Sequence, residues 1–217
     1  MTDFVFQPSE PVSLPVVGTE ARFPVRRIYC VGRNYADHVK EMGDDPARSE
    51  PIIFTKAPET LVQSGSEILY PPNTSNVHYE VELVAAIGPE GIFGYGVGID
   101  LTRRDLQATA KSSGAPWSRA KDFANAAPCS AITPATDVTL GPAHIVLRKN
   151  GEIVQHGRLS DMIWSIEEIM EQIAGDMDLG PGDLIYTGTP EGVGPCVVGD
   201  ELEGGIEGLA PIRVRII

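Results

Sequence analysis

Two glutamates separated by one residue are the sharpest candidate for chemistry in this sequence. Glu80 and Glu82 lie in HYEVEL, which alternates like a β-strand, so both side chains are expected on the same face. The following residues 83–87 are apolar, and two carboxylates there would repel each other unless a cation or a proton neutralised them. Carboxylate oxygens suit a hard divalent cation such as Mg²⁺ or Mn²⁺. The plainer alternative, which this motif alone leaves open, is the exposed face of an edge strand.

A third carboxylate, Asp100, ends the glycine-rich segment GYGVGID. It follows an apolar run that reads as a strand entering a core, whereas the two glutamates precede one. Three acids from two strands could hold Mg²⁺ on one side and leave positions for water or a chelating substrate. The alternative is that Asp100 caps the N-terminus of the following helical segment.

His38 and Glu41 are three residues apart in GRNYADHVKEMG, a segment that can form a short helix ended by Gly43. This spacing places the two side chains on one helix face. A carboxylate beside an imidazole orients the ring and strengthens it as a general base. Arg33, just before the helix, could donate hydrogen bonds to an anion. A surface histidine on a short polar helix remains the alternative.

Two further segments could contact an anionic ligand. Lys121 lies in KDFANAAP, where few other charges occur, so a buried lysine there would need an anionic partner. In TGTPEGVG, residues 187–194, glycines allow close approach of the backbone, and Thr187 and Thr189 offer hydroxyl groups. The latter segment is not a Walker A loop, because no Gly-Lys-Ser/Thr follows. The alternatives are a surface lysine beside Asp122 and a plain turn.

Many short strands and few helices are predicted to position these residues. The clearest predicted element is a β-hairpin over residues 144–157, where two alternating runs flank Asn150-Gly151, a type I′ turn signal. Ser165 is a predicted N-cap for the helix that follows it. The predicted strands are 26–32, 52–58, 77–87, 94–100, 144–149, 152–157, 183–187 and 211–217, and the predicted helices are 34–42, 101–114 and 165–176. With residues 65–76 read as a loop and no βαβ rhythm, we expect a β-rich α+β fold, a rolled or sandwiched sheet with helices at its margin.

Length and composition narrow the class of protein. The 217 residues suffice for one substantial core, and we expect a Pro-rich arm at 1–25 packed on a single domain at 26–217. Lys+Arg 17 against Asp+Glu 30 gives a net charge of -13, which disfavours nucleic-acid binding. The three cysteines show no CxxC spacing, so neither a disulfide scaffold nor a thiolate metal site is expected. No apolar run is long enough for a membrane span and no signal peptide is visible, so a cytoplasmic location is expected.

Several segments, taken in order, resemble the fumarylacetoacetate hydrolase family, especially its short acylpyruvase-like or fumarylpyruvate hydrolase-like branch. The matching runs cover about three quarters of the chain, from residue 32 to 195. They are GRNYADHVKEM, EPIIFTKAP, HYEVELVAAIG, GYGVGIDLTRRDLQ, KDFANAAP, LSDMIWSIEEIM and GDLIYTGTPEGVGP. One departure is the join between IGPEG and FGYG, which is shorter here than the family pattern.

The resemblance implies the family's mixed β-roll and a homodimer. It implies a Mg²⁺ or Mn²⁺ ion held by Glu80, Glu82 and Asp100. It also implies a water-activating dyad, an active-site lysine and substrate-binding residues. These roles fall on His38 with Glu41, on Lys121, and on Gln107, Thr189 and, more loosely, Arg33.

The expected activity is hydrolysis of a C–C bond in a 2,4-dioxo acid, with fumarylpyruvate first and other acylpyruvates next, giving pyruvate and a carboxylic acid. The enzyme would act in the catabolism of aromatic compounds. Within the family, the alternatives are decarboxylation or tautomerisation of oxaloacetate, and isomerisation or decarboxylation of a homoprotocatechuate-pathway acid. A non-catalytic, metal-stabilised binding protein is the alternative of another class. A glycosidase is disfavoured, because Glu80 and Glu82 lie on one strand and cannot flank a sugar.

Overall fold

The computed structural model describes residues 3–43 and 50–217 of the chain. Helices are few in these residues: α1 (Ala36–Glu41), α2 (Arg104–Ser113), α3 (Ser118–Lys121) and α4 (Ile166–Asp176), with 3-10 turns at Pro58–Thr60 and Leu159–Asp161. The strands there are β1 (Ser13–Pro15), β2 (Arg22–Pro24), β3 (Arg27–Gly32), β4 (Ile52–Lys56), β5 (Leu61–Gln63), β6 (Glu67–Ile68), β7 (Val77–Tyr79), β8 (Val81–Gly88), β9 (Gly91–Ile99), β10 (Thr102–Arg103), β11 (Ala127–Cys129), β12 (Thr133–Pro134), β13 (His144–Lys149), β14 (Glu152–Arg158), β15 (Asp183–Tyr186), β16 (Gly194–Cys196), β17 (Glu201–Ile206) and β18 (Ile212–Ile216).

Two large sheets carry most of the structure. The larger has the order β4-β3-β15-β8-β9-β11-β5, with β12 added to β9, and the smaller has the order β14-β13-β17-β18-β6. A three-stranded sheet, β10-β7-β16, and the β1-β2 hairpin complete the set. Strands from both large sheets contribute to one apolar core. The predicted β-rich α+β roll is confirmed.

The central strand β8 is buried along its whole length, because it packs on both faces. Val81, Leu83 and Ala85 point into the core shared with the five-stranded sheet. Val84 and Ala86 point to the opposite side, toward a second apolar cluster. A strand buried on both faces loses its polar alternation, which explains the continuous apolar run after Glu82.

The hairpin and the fourth helix form as the sequence predicts. Asn150 and Gly151 have φ values of 52° and 85°, the left-handed conformations that a type I′ turn requires. Ser165 caps α4, because its Oγ accepts a hydrogen bond from Glu168 N at 3.3 Å. In return, Ser165 N donates to the Glu168 carboxylate at 2.9 Å, which completes a capping box.

Several predicted boundaries are wrong by a few residues. The helix expected over 101–114 begins only at Arg104, because Leu101 is buried and residues 102–103 pair with β7. The strand expected over 77–87 is interrupted at Glu80. The expected strand 52–58 ends at Lys56, since Pro58 starts a 3-10 turn. The expected loop 65–76 contains β6, and the short helix α3 was not predicted.

The short join between β8 and β9 is a tight hairpin. Gly88 and Gly91 are paired across it, with Pro89 and Glu90 at the turn. Gly91 has φ 113°, a conformation that glycine adopts without strain. The shortened connection therefore leaves the pairing of β8 with β9 intact up to the candidate ligands at its other end.

The N-terminal segment is tied to the larger sheet. Ile132 N donates to Pro15 O at 2.8 Å, and Val17 N donates to Ile132 O at 2.9 Å. Leu14 and Phe23 are buried in the second apolar cluster. The division into an arm and one domain at residue 25 stays a prediction. Within the described residues, none of the helices has the length and apolar character that crossing a membrane demands.

Candidate metal centre and active site

Three buried carboxylates, Glu80, Glu82 and Asp100, meet at one end of the β8-β9 pair. One oxygen from each lies within 4.8 Å of the others, and their exposed fractions are 5%, 2% and 1%. The antiparallel register pairs Val81 with Ile99, so the next residues outward, Glu80 and Asp100, lie opposite each other. The backbone confirms this, because Asp100 N donates to Glu80 O at 2.8 Å. The predicted convergence of the three acids is therefore present.

Three cations surround these carboxylates. Lys121 Nζ donates to Glu80 Oε2 at 2.7 Å and to Asp100 Oδ2 at 2.6 Å. Arg104 pairs with the other oxygen of Glu80, and Lys56 Nζ lies 2.8 Å from Asp100 Oδ1. The charges balance, as buried ions require. Lys121 is thus a buried lysine held by anions, and not a surface lysine beside Asp122.

Burial and neighbouring charges shift the pKa values of Glu82 and Glu80 in opposite directions. Burial raises the pKa of Glu82 well above its usual value, and the charges of Asp100 and Glu80 raise it further. Burial alone would also raise the pKa of Glu80, but Lys121 and Arg104 hold it well below its usual value. Burial alone would lower the pKa of Lys121, yet Asp100 and Glu80 raise it above the usual range.

The donor set fits a hard divalent cation. All three side chains offer oxygen, the element that Mg²⁺ and Mn²⁺ prefer. Asp100 Oδ1 has an ion pair with Lys56 but no hydrogen bond of good geometry, so it keeps a lone pair for another partner. Burial is the main cause of the raised pKa of Glu82, and a cation would offset the repulsion from Asp100 and Glu80 that adds to it. These three residues could therefore hold a metal ion.

Lys56 is a site residue that sequence reasoning missed. Its side chain is 1% exposed, and its Nζ donates to Ala126 O at 3.0 Å, to Leu101 O at 3.3 Å and to Lys121 O. It thereby ties together the backbone after Asp100 and the backbone at Lys121. The only sequence signal was a lysine at the end of the apolar strand IIFTK, which does not reveal its partners.

Arg104 was missed as well. It lies at the start of α2, one turn before Gln107, and its guanidinium donates to Gln107 Oε1 at 2.6 Å. That bond occupies the amide oxygen of Gln107 and leaves the amide NH₂ group for the cavity. Its (i, i+3) spacing from Gln107 was a usable signal, but the contact with Glu80 depends on tertiary structure.

The predicted dyad is formed on α1. His38 Nδ1 lies 3.1 Å from Glu41 Oε2, and His38 is 9% exposed. The other oxygen of Glu41 accepts a hydrogen bond from Gly192 N at 3.1 Å, which fixes the carboxylate on the loop after Thr189. With Nδ1 facing Glu41, Nε2 is the nitrogen available as a base.

One cavity joins most of the predicted residues. Its lining includes Arg33, His38, Glu80, Glu82, Asp100, Gln107, Lys121 and Thr189. Glu41 does not line it and acts on it through His38. The lining also includes Phe54, Lys111 and Trp117, which are more exposed than the three carboxylates. Of the two candidate threonines, Thr189 lines the cavity, whereas Thr187 Oγ1 donates to Leu83 O at 3.0 Å within the sheet.

Comparison with known proteins identifies relatives of this chain. The family model described as fumarylacetoacetate (FAA) hydrolase C-terminal matches residues 27–217. The chain is 44% identical to "Fumarylpyruvate hydrolase" of Ralstonia sp over 183 residues, 79% of this chain and 95% of that protein. It is 40% identical to "Oxaloacetate tautomerase FAHD1, mitochondrial" of Mus musculus over 203 residues, 88% of this chain and 91% of that protein. A crystal structure of fumarylpyruvate hydrolase from Pseudomonas aeruginosa in complex with Mn²⁺ and pyruvate superposes with a TM-score of 0.96 at 43% identity, covering 99% of each chain.

Proposed function

Because the chain belongs to the fumarylacetoacetate hydrolase family, we propose that it is a metal-dependent hydrolase of 2,4-dioxo acids, with fumarylpyruvate as its first substrate. The products would be pyruvate and a carboxylic acid, fumarate in the case of fumarylpyruvate. The observation that carries the proposal is one cavity lined by three carboxylates, by Lys121 and by His38, whose ring Glu41 contacts from outside the cavity. A general base beside an electrostatic site for an enolate is what this hydrolysis requires.

Glu80, Glu82 and Asp100 would hold Mg²⁺ or Mn²⁺. When bound, the ion would act as a Lewis acid that stabilises negative charge on the oxygens of the pyruvyl end of the substrate. Lys56, Lys121 and Arg104 already balance the three carboxylates, so a divalent cation gives the site a net positive charge. A positive site suits an anionic substrate, even though the whole chain has a net charge of -13.

His38 would supply the hydrolytic water. Its Nε2 takes a proton from water while Glu41 stabilises the imidazolium through Nδ1. The hydroxide adds to the C4 carbonyl, the C3–C4 bond breaks, and its electron pair forms the enolate of pyruvate. The acyl part leaves as a carboxylic acid, and the enolate regains a proton at C3. Lys121, which lines the cavity between Glu80 and Asp100, would stabilise the enolate charge.

The outer part of the cavity favours a substrate with a second carboxylate. Arg33 and Lys111 line it there, and Lys111 Nζ lies 5.6 Å from the centre of the Trp117 ring. Lys111 follows Gln107 by one turn of α2, so the helix presents Arg104, Gln107 and Lys111 in succession from the carboxylates outward. Fumarylpyruvate has a distal carboxylate that these cations could bind, whereas acetylpyruvate has none.

Steady-state assays with Mg²⁺ would test the reaction and the substrate. We expect turnover of fumarylpyruvate and acetylpyruvate, with a higher kcat/KM for fumarylpyruvate. Replacing Lys111 by Met should lower that kcat/KM about fivefold, as a partly exposed ion pair is worth about 1 kcal/mol, and leave acetylpyruvate unaffected. Lys149→Met, away from the cavity, is the matched control. No metal-dependent turnover of any acylpyruvate would refute the proposal.

Oxaloacetate chemistry is the second candidate, favoured by the 40% identity to a protein named oxaloacetate tautomerase. Tautomerisation or decarboxylation would use the same carboxylates and Lys121 for the enolate, without attack by water. Preferred turnover of oxaloacetate over acylpyruvates would select it, and activity on a homoprotocatechuate-pathway acid would select the isomerase alternative. A non-catalytic binding protein would gain thermal stability from Mg²⁺ and turn over none of these compounds.

The setting of the enzyme is also part of the proposal. The resemblance to the family supports a homodimer, a cytoplasmic location and a place in aromatic catabolism, with residues 1–25 as an arm on one domain. Light scattering coupled to size-exclusion chromatography would test the dimer, because a mass of one 23.3 kDa chain in solution would contradict it.

A further inference from the structure

Gln155, on β14 of the five-stranded sheet, connects two parts of the active site and has no role in the mechanism above. Its side chain is 1% exposed. Its Oε1 accepts a hydrogen bond from Val81 N at 2.9 Å, between the carboxylates Glu80 and Glu82. Its Nε2 donates to Thr189 Oγ1 at 2.8 Å and to Pro190 O at 2.9 Å. One buried amide therefore ties the metal-binding strand to the loop that carries Thr189.

The partners of Gln155 fix the orientation of its amide. Val81 N can only donate, so it must face the amide oxygen, and Pro190 O can only accept, so it must face the amide nitrogen. The second hydrogen on Nε2 then points to Thr189 Oγ1, which has to accept it. Reversal of the amide would leave buried groups unpaired, at a cost of about 1–3 kcal/mol for each.

This arrangement determines what the Thr189 hydroxyl can do. A hydroxyl group has one hydrogen to donate and two lone pairs to accept with. One lone pair receives the hydrogen from Gln155, and within the described part of the chain the Thr189 hydroxyl donates to no partner. Thr189 is 3% exposed and lines the cavity, so its hydrogen is left for an acceptor there.

A β-bulge directs Gln155 to this position. In the hairpin, Leu147 pairs with Gln155 and Arg148 pairs with Ile153, so Val154 is an extra residue on β14. Regular pairing would place Val154 alone opposite Leu147, whereas the bulge pairs Gln155 with Leu147 and turns it inward, while Val154 still packs against the core. Bulges beside active sites commonly redirect a side chain in this way.

We propose that Gln155 is a positioning residue that holds the Thr189 hydroxyl as a hydrogen-bond donor to a carboxylate oxygen of the substrate. The proposal rests on the proposed function, because it takes the ligand to be a 2-oxo acid with oxygens that only accept hydrogen bonds. A hydroxyl presenting lone pairs instead would repel those oxygens. Gln155 would act on substrate affinity through Thr189 and would leave the metal ion's own affinity largely unchanged.

Calorimetry with Mn²⁺ and with oxalate, a mimic of the pyruvate enolate, would test this role. Replacing Gln155 by Glu keeps the shape and the acceptor for Val81 but removes the donor to Thr189. We expect oxalate affinity for the Mn²⁺-loaded protein to fall about 10- to 100-fold, the effect of losing a hydrogen bond to a charged group. Thr189→Val should give a similar loss, and Thr189→Ser should retain affinity. The same change at an exposed site, Gln172→Glu, is the matched control.

The double variant decides whether Gln155 acts through Thr189. In the Thr189→Val background, Gln155→Glu should weaken oxalate binding little further, since coupled residues are not additive. An additive loss, or an equal loss of Mn²⁺ and oxalate affinity, would overturn the proposal. If Gln155→Glu does not fold, Gln155→Met serves in the same cycle without adding a charge. If the wild type binds Mn²⁺ but no oxalate, the proposed function fails too. If the wild type binds oxalate and the variants bind it equally well, this inference fails while the proposed function stands.

Discussion

At the scale of single residues, His38 separates catalysis from metal binding. It contacts Glu41 and lines the cavity, while the candidate metal ligands are three other side chains. His38→Ala should therefore lower kcat for an acylpyruvate about 10²- to 10⁴-fold, the usual contribution of a positioned base. The affinity for Mn²⁺, measured by calorimetry, should change little.

The control for His38 is His156→Ala, which removes a histidine from the exposed face of β14. That variant should keep full activity. Equal loss of hydrolysis and of Mn²⁺ affinity in His38→Ala would contradict the division of roles. Retention of oxaloacetate tautomerisation alongside lost hydrolysis would instead show that the enolate site works without the base.

Residue types and short spacings predicted most of the site. Glu80 and Glu82 could be found because their charges conflict with the apolar residues that follow, and His38 with Glu41 because of helical spacing. The resemblance supplied Gln107, and the structure places it in the cavity. Lys56 and Gln155 could not be found, because each acts through partners distant in the sequence, such as Ala126 for Lys56 and Val81 for Gln155.

At the scale of elements, the turn after β15 shapes the site. Gly188 has φ 97°, and its N–H donates to Glu82 Oε2 at 2.8 Å. A Cβ on Gly188 would lie 2.8 Å from Asn34 Cβ and 3.2 Å from Val31 O. Asn34 cannot move freely, because its amide donates to Thr187 O at 2.7 Å and accepts from Trp164 N at 2.7 Å.

Gly188→Ala should therefore destabilise the protein by about 1–3 kcal/mol, the usual cost of a residue held in an unfavourable backbone region. It should also weaken Mn²⁺ binding, since displacing the turn removes a hydrogen bond that orients Glu82. Chemical denaturation and calorimetry would measure the two effects. Gly175→Ala in α4, where a Cβ meets no atom within 4 Å, is the control and should be neutral or slightly stabilising. A neutral Gly188→Ala would show that this turn tolerates a shift.

The elements themselves were predicted where local signals are strong. The Asn150-Gly151 hairpin and the Ser165 cap depend on the chemistry of a few adjacent residues. The break at Glu80 and the bulge at Val154 were not predictable, because pairing with other strands decides both. Glu80 lines the cavity, and the bulge precedes Gln155, which bonds the cavity residue Thr189, so both irregularities belong to the site, where function commonly overrides regular local structure.

At the scale of the whole molecule, burial protects the thiols. Burial raises the pKa of Cys129 and of Cys196 to about 12, and it raises the pKa of Cys30 well above its usual value. Since the thiolate is the reactive form, all three cysteines should resist a disulfide reagent at pH 8 in the native protein. In the native protein the thiols should react with the reagent only as fast as the protein unfolds. In denaturant all three thiols of each chain should react. Fast reaction of one thiol would reveal local opening.

At this scale, metal binding at the site should also stabilise the folded state of the whole protein. The candidate ligands come from the β7-β8 junction, from β8 and from the end of β9, and their neighbours Lys56 and Lys121 come from β4 and α3. An ion that binds only this assembled arrangement must stabilise the native state. At a free Mn²⁺ concentration of 100 Kd the gain is about 2.7 kcal/mol, which should raise Tm by about 5–10 °C for a chain of this length.

Glu82→Gln tests whether that stabilisation arises at this cluster. The amide oxygen can still accept the hydrogen bond from Gly188 N, so the metal-free variant should unfold near the wild-type Tm. One carboxylate fewer should move the rise in Tm to a much higher Mn²⁺ concentration, as followed by differential scanning calorimetry. Glu203→Gln, on the exposed side of the five-stranded sheet, should keep the full rise. An unchanged rise in Tm in Glu82→Gln would place the ion elsewhere on this acidic protein. Only the loss of a true ligand should reduce the rise in Tm with Mn²⁺ while leaving the metal-free Tm unchanged.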